Sequence, residues 1–138
     1  MIYDIGHVAI ATADMDKMKK FYENLGFRRS FSLKDEKDQD WIVYMKLGGF
    51  FLELIRSDNN HRRSEGNGLA HVCLLVDDMY ETVSELRAKG VNVSEPKMGL
   101  DGSIQSWMRD PEENGIELMQ ILPGSLQAKA LAQKDYSK

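Results

Sequence analysis

The stretch HVAIATADMDKMKKFYENLGF, residues 7–27, returns without a gap as HVCLLVDDMYETVSELRAKGV, residues 71–91. His7 falls on His71, Val8 on Val72, Asp14 on Asp78, Met15 on Met79 and Gly26 on Gly90, all at one shift of 64 places. Carried on unchanged, the shift lays Glu53-Leu54 of FFLELI (50–55) over Glu117-Leu118 of NGIELM (114–119). The step from histidine to glutamate is 46 places in both copies. Self-similarity at a fixed period marks a repeated structural unit.

Each copy reads the same way. A strand (YDIGHVAIATA, 3–13; GLAHVCLLVD, 68–77) leads to an aspartate, Asp14 or Asp78, suited to cap a helix. Met15, Met18, Phe21, Tyr22 and Leu25 recur at helical spacing in the first helix, and Met79, Val83 and Leu86 in the second; Gly26 and Gly90 stop them. Three shorter strands follow, near FRRSFSL, WIVYMKL and FFLELI in the first copy and near VNVSE, SIQSWMR and GIELMQIL in the second. LGGF and DPEENG supply the turns before the last strand of each. The expected organisation is one domain, 1–122, of two βαβββ modules (3–57 and 69–122) joined by the polar linker 58–68, with a C-terminal tail, 123–138, that holds at most one short helix. The fold class is α+β, the two curled sheets together making a cupped, eight-stranded, barrel-like surface.

Glu53 is the residue that strand burial leaves unexplained, because an ionised carboxylate removed from water costs several kcal/mol unless it is paired, hydrogen-bonded or on a metal. Period-two alternation puts Phe51, Glu53 and Ile55 on one strand face, and Gly115, Glu117 and Met119 on another. Because the shift is constant, His7, Glu53, His71 and Glu117 occupy equivalent places and form a candidate site of two imidazoles and two carboxylates. Nitrogen and oxygen donors without thiolate suit a divalent ion of the Zn, Ni, Co, Mn or Fe group. A lone strand histidine is more often a core or edge residue than a ligand, and Glu53 taken alone also fits an ion pair across the sheet; the shared register of all four argues for ligation. Cys73 reads as a small buried hydrophobe. Trp41 and Trp107, two places out of register, read as core or pocket wall, and His61 as a solvated linker residue.

Composition bounds the rest. With 138 residues and a net charge of −4, the chain has the size of one globular domain and no basic stripe, so nucleic acid and anionic membrane are not expected partners. No apolar run approaches about 18 residues and no signal peptide is legible, so a cytoplasmic location is expected. The single cysteine excludes an internal disulfide.

HVAIATADMDKMKKFYENLGF, the FLEL glutamate, GLAHVCLLVDDM and RDPEENGIELMQ together resemble the glyoxalase I branch of the vicinal oxygen chelate superfamily (glyoxalase, bleomycin resistance, extradiol dioxygenase), over residues 3–122. The order His, Glu, His, Glu is similar to glyoxalase I; related epimerases usually carry glutamine at the second place. The resemblance implies a lyase or isomerase with His7, Glu53, His71 and Glu117 as ligands to nickel or zinc, cobalt and manganese being alternatives. It implies conversion of a methylglyoxal–thiol hemithioacetal to a 2-hydroxyacyl thioester, a methylglyoxal detoxification. Glu117 is then the catalytic base and Glu53 its symmetric alternative. A homodimer is implied as well. Other members of the superfamily are epimerases and non-catalytic drug-binding proteins, and those remain the alternative readings. Glutathione-using members carry an arginine four places after the first histidine and an asparagine four places after the first glutamate. Here Ala11 and Ser57 stand there, so the thiol cosubstrate is left open. Arg28, Arg56, Lys97 and Arg109 are the candidate carboxylate holders.

Overall fold

The computed structural model describes residues 6–57 and 71–132, and the chain divides into two compact units, Met1–Asn67 and Gly68–Lys138. The linker expectation, with His61, lies outside the described residues. In the first unit, β1 (His7–Thr12) is followed by α1 (Met15–Asn24), β2 (Arg28–Lys34), β3 (Asp40–Leu47) and β4 (Phe50–Arg56). The second unit runs β5 (His71–Leu75), α2 (Met79–Ala88), β6 (Lys97–Met98), β7 (Ile104–Arg109), β8 (Gly115–Gln120) and a short α3 (Leu126–Ala132). Each unit builds a four-stranded sheet, ordered β1-β4-β3-β2 and β5-β8-β7-β6. In both, the first strand lies parallel to the last, and the other pairings are antiparallel.

The helices begin and end as their residues dictate. The Asp14 carboxylate accepts from the Lys17 amide at 3.0 Å, and that of Asp78 from the Glu81 amide at 2.9 Å, each satisfying a free donor of a first turn. Gly26 (φ +95°) and Gly90 (φ +81°) take the left-handed conformation. The amides of Phe27 and Val91 then return to the carbonyls of Tyr22 and Leu86, closing the same C-terminal motif in both modules. Each helix covers one sheet face. Met18 and Tyr22 bury with Leu52, Leu54, Val43 and Met45 in the first module, and Met79, Val83 and Leu86 with Ile116, Leu118 and Met108 in the second. Met18 and Leu54 are wholly excluded from solvent; Met18→Ala or Leu54→Ala is expected to cost about 2–5 kcal/mol, read from urea unfolding.

One strand expectation is corrected. VNVSE forms no strand, although Val91 and Val93 are buried, because serine hydroxyls take over the ladder bonds. The Trp107 amide donates to Ser94 Oγ (2.9 Å) and Ser106 Oγ to the Ser94 carbonyl (2.6 Å). One backbone bond survives, from the Ser94 amide to the Trp107 carbonyl (2.9 Å), and regular strand pairing begins past Pro96, where Lys97 and Met98 lie opposite Gln105 and Ile104. The DPEENG turn is held by Asp110, whose Oδ1 accepts from the amides of Glu112 and Asn114, both at 2.9 Å.

Candidate functional site

The strand order places each histidine beside its own module's glutamate. In the first sheet the parallel register sets His7 against Phe51 and Ala9 against Glu53, so histidine and glutamate share the face away from α1. His7 Nε2 lies 2.6 Å from Glu53 Oε2. In the second sheet His71 stands against Gly115 and Cys73 against Glu117, and His71 Nε2 lies 3.1 Å from Glu117 Oε2. Both carboxylates are buried while both imidazoles keep an exposed edge. The structure thus pairs the four candidates two by two. Among the described residues, no group of three or more His, Cys, Asp or Glu side chains forms a metal cluster.

Antiparallel pairing adds an aromatic wall to each pair. Tyr44 is opposite Glu53 and meets the His7 ring edge-on at 5.6 Å; Trp107 is opposite Glu117 and meets His71 edge-on at 4.9 Å. Trp107 is therefore a wall residue and partly exposed. Tyr44 was not legible as its counterpart, because the two are 63 places apart, one short of the repeat. The cause is the hairpin. β3 and β4 close on the two glycines Gly48 and Gly49, whereas β7 and β8 are joined by the longer turn 110–114.

The surroundings of the carboxylates differ. Burial, then the Glu53 charge and the hydrogen bond donated to it, push the Tyr44 phenol above its ordinary range. Glu53 is therefore gripped from two sides, by His7 and by Tyr44. Glu117, only 5% exposed, has His71 on Oε2, but its shielded Oε1 has no hydrogen-bond partner among the described residues. Its other neighbour is Cys73, a weak donor. Partial desolvation of its sulfur beside the sheet, then the Glu117 charge and the hydrogen bond to it, push that thiol up to about 11, although the residue as a whole is exposed. Cys73 is corrected from buried to exposed, since it shares the open face of β5 with His71. In metal-free protein, iodoacetamide labelling of Cys73 is expected to keep accelerating up to pH 10, because the reactive thiolate becomes abundant only there. A rate that levels off near pH 8 would contradict this.

An orphaned, buried carboxylate oxygen is costly, and a cation is the partner it fits. An imidazole nitrogen facing a carboxylate oxygen, once in each module, presents donor atoms of the right type for a divalent ion. Of the candidate carboxylate holders, Arg56 is tied to Asp35 and Gln39, and Arg109 donates to the Glu113 carbonyl at 2.8 Å.

Two βαβββ modules, each with a His–Glu pair on its open sheet face, define the class of protein. The chain belongs to the Glyoxalase/Bleomycin resistance protein/Dioxygenase superfamily, whose family model matches residues 4–118. Among curated proteins it is similar to the mitochondrial methylmalonyl-CoA epimerase of Bos taurus, 26% identical over 122 residues, covering 81% of this chain and 70% of that one. It is also similar to a probable lactoylglutathione lyase of Synechocystis sp., 28% identical over 121 residues, covering 83% and 92%. Among solved structures, a glyoxalase family protein from Enterococcus faecalis superposes with a TM-score of 0.75 at 27% identity, covering 84% of this chain and 96% of that one. The α+β fold of two tandem modules expected from the repeat is the fold of this family. Among the described residues no helix is long and apolar enough to cross a membrane.

Proposed function

We propose that this chain is a divalent-metal-dependent isomerase of the glyoxalase I type, acting on the hemithioacetal of a 2-oxoaldehyde such as methylglyoxal and releasing a 2-hydroxyacyl thioester. The observation that carries the reading is the buried Glu117 carboxylate, held by His71 on one oxygen and unpartnered on the other, repeated in plan by His7 and Glu53. In this reading His7, Glu53, His71 and Glu117 are the metal ligands. The cation, nickel or zinc with cobalt and manganese as alternatives, supplies Lewis-acid stabilisation of negative charge developing on the substrate oxygens. Glu117 removes the proton from the sulfur-bearing carbon and returns it to the neighbouring carbon. Its Oε1, without a hydrogen bond among the described residues, is the oxygen available for the proton, whereas Glu53 has His7 and the Tyr44 phenol as neighbours. Tyr44 and Trp107 each wall the His–Glu pair of their own module. A cytoplasmic homodimer belongs to the same reading.

The test is turnover of methylglyoxal with a panel of thiols, on protein stripped of metal and reloaded with Ni, Zn, Co or Mn. Thioester formation that returns with one metal supports the proposal. Stoichiometric metal with every thiol inert moves the assignment to an epimerase, the activity named for the Bos taurus relative. Protein that binds no metal leaves a non-catalytic binding protein as the better account.

A further inference from the structure

Aromatic rings pack against Tyr44 from both neighbouring strands and from β1. Phe31, opposite it on β2, stacks on the Tyr44 ring with centroids 4.2 Å apart and planes inclined by 16°. His7 and Phe51 meet the ring edge-on at 5.6 Å and 6.3 Å. Stacked and edge-on pairs of this kind stabilise beyond the area they bury, so the ring has a defined place. These contacts need only the ring, and phenylalanine would make every one of them. What the hydroxyl adds is a bond to Glu53. Sheet pairing sets Glu53 directly opposite Tyr44 on β4, on the same face, and the phenol donates to its carboxylate. A hydrogen bond to an ionised acceptor is roughly twice as strong as one between neutral groups.

The second module repeats the plan without that donor. Trp107 stands opposite Glu117 and meets His71 edge-on at 4.9 Å. Oε1 of Glu117 nevertheless has no hydrogen-bond partner among the described residues, and its neighbours on that face are His71 and the weak donor Cys73. Two carboxylates that the repeat makes equivalent therefore differ by one phenol.

We propose that Tyr44 is a positioning residue for the metal centre, its phenol holding the Glu53 carboxylate in the orientation in which it ligates the cation. A ligand already fixed by a hydrogen bond has less freedom to lose when the cation arrives, and that preorganisation appears as affinity. Tyr44 acts through Glu53 and takes no part in the proton transfer. The inference rests on the assignment of Glu53 as a metal ligand in the proposed function, and it does not require the isomerase chemistry.

Chelator competition with nickel and with zinc, on the parent and on Tyr44→Phe, tests this. Phenylalanine keeps the aromatic contacts and deletes only the donor. Loss of an outer-shell partner of a metal ligand costs about 10–100-fold in affinity, and a loss of that size is expected. Met18→Ala is the comparison. It destabilises the core on the other face of the same sheet, where Met18 is wholly buried, and should leave metal affinity at the parental value. Tyr44→Phe binding metal as tightly as the parent would overturn the proposal. So would Met18→Ala weakening the metal as much as Tyr44→Phe, because affinity would then simply follow the stability of the sheet. Turnover with thiols separates this inference from the reaction assigned above. A weakened metal in a protein inert towards every thiol keeps Tyr44 as a positioning residue and removes the isomerase. Parental affinity of Tyr44→Phe in an active enzyme removes Tyr44 alone. A parent that binds neither metal overturns both.

Discussion

Glu117→Gln is expected to lower isomerase turnover by about a thousandfold or more while leaving the metal-free protein at least as thermally stable as the parent. Loss of a positioned general base costs about 10²–10⁴ in rate, and glutamine keeps the shape while removing the basic oxygen. The stability half follows from the orphaned atom. Glu117 is buried, with His71 on Oε2 but no partner on Oε1; a half-satisfied buried charge costs more than a buried neutral amide, and the glutamine oxygen can still face His71. Glu53→Gln separates the two carboxylates. Its oxygens already have His7 and Tyr44 as neighbours, so the amide can keep one acceptor in place, and a rate loss at least tenfold smaller is expected. Steady-state kinetics and thermal melts on both variants decide. Equal rate losses would remove the distinction drawn between the two carboxylates, and a strongly lowered melting temperature for Glu117→Gln would mean that the carboxylate stabilises the metal-free fold.

The repeat made most of this arrangement readable before any coordinates. A histidine and a glutamate 46 places apart in each copy fall next to each other because the parallel outer strand closes the module, a consequence of βαβββ topology that period-two alternation alone does not provide. Capping residues were equally plain, since Asp14 and Asp78 do locally what any N-cap aspartate does. What stayed hidden depends on register between strands. Tyr44 and Trp107 are partners only once the unequal hairpin turns are known. Ser94 and Ser106 cancel a strand that the valines of VNVSE otherwise support, and hydroxyl competition of that kind leaves no periodic trace. The exposure of Cys73 was legible in principle, because alternation along HVCLL ties it to the face of His71.

His7→Ala and His71→Ala are each expected to abolish stoichiometric metal binding and to leave both helices and sheets intact. The proposal assigns four donors to one cation, two from each module, so deleting either histidine leaves the same three-ligand remnant. Even perturbing an outer-shell partner of a metal ligand costs about 10–100-fold in affinity; removing the ligand itself should exceed about a hundredfold. Both imidazoles keep an exposed edge, so alanine there opens no core cavity, and circular dichroism should be unchanged. Metal content after dialysis, with affinity from chelator competition, distinguishes the alternatives. If each variant instead retains half the parent's metal at parental affinity, the two His–Glu pairs work as separate two-donor sites. A four-ligand centre, and with it the Lewis-acid chemistry assigned to this family member, would then have to be abandoned.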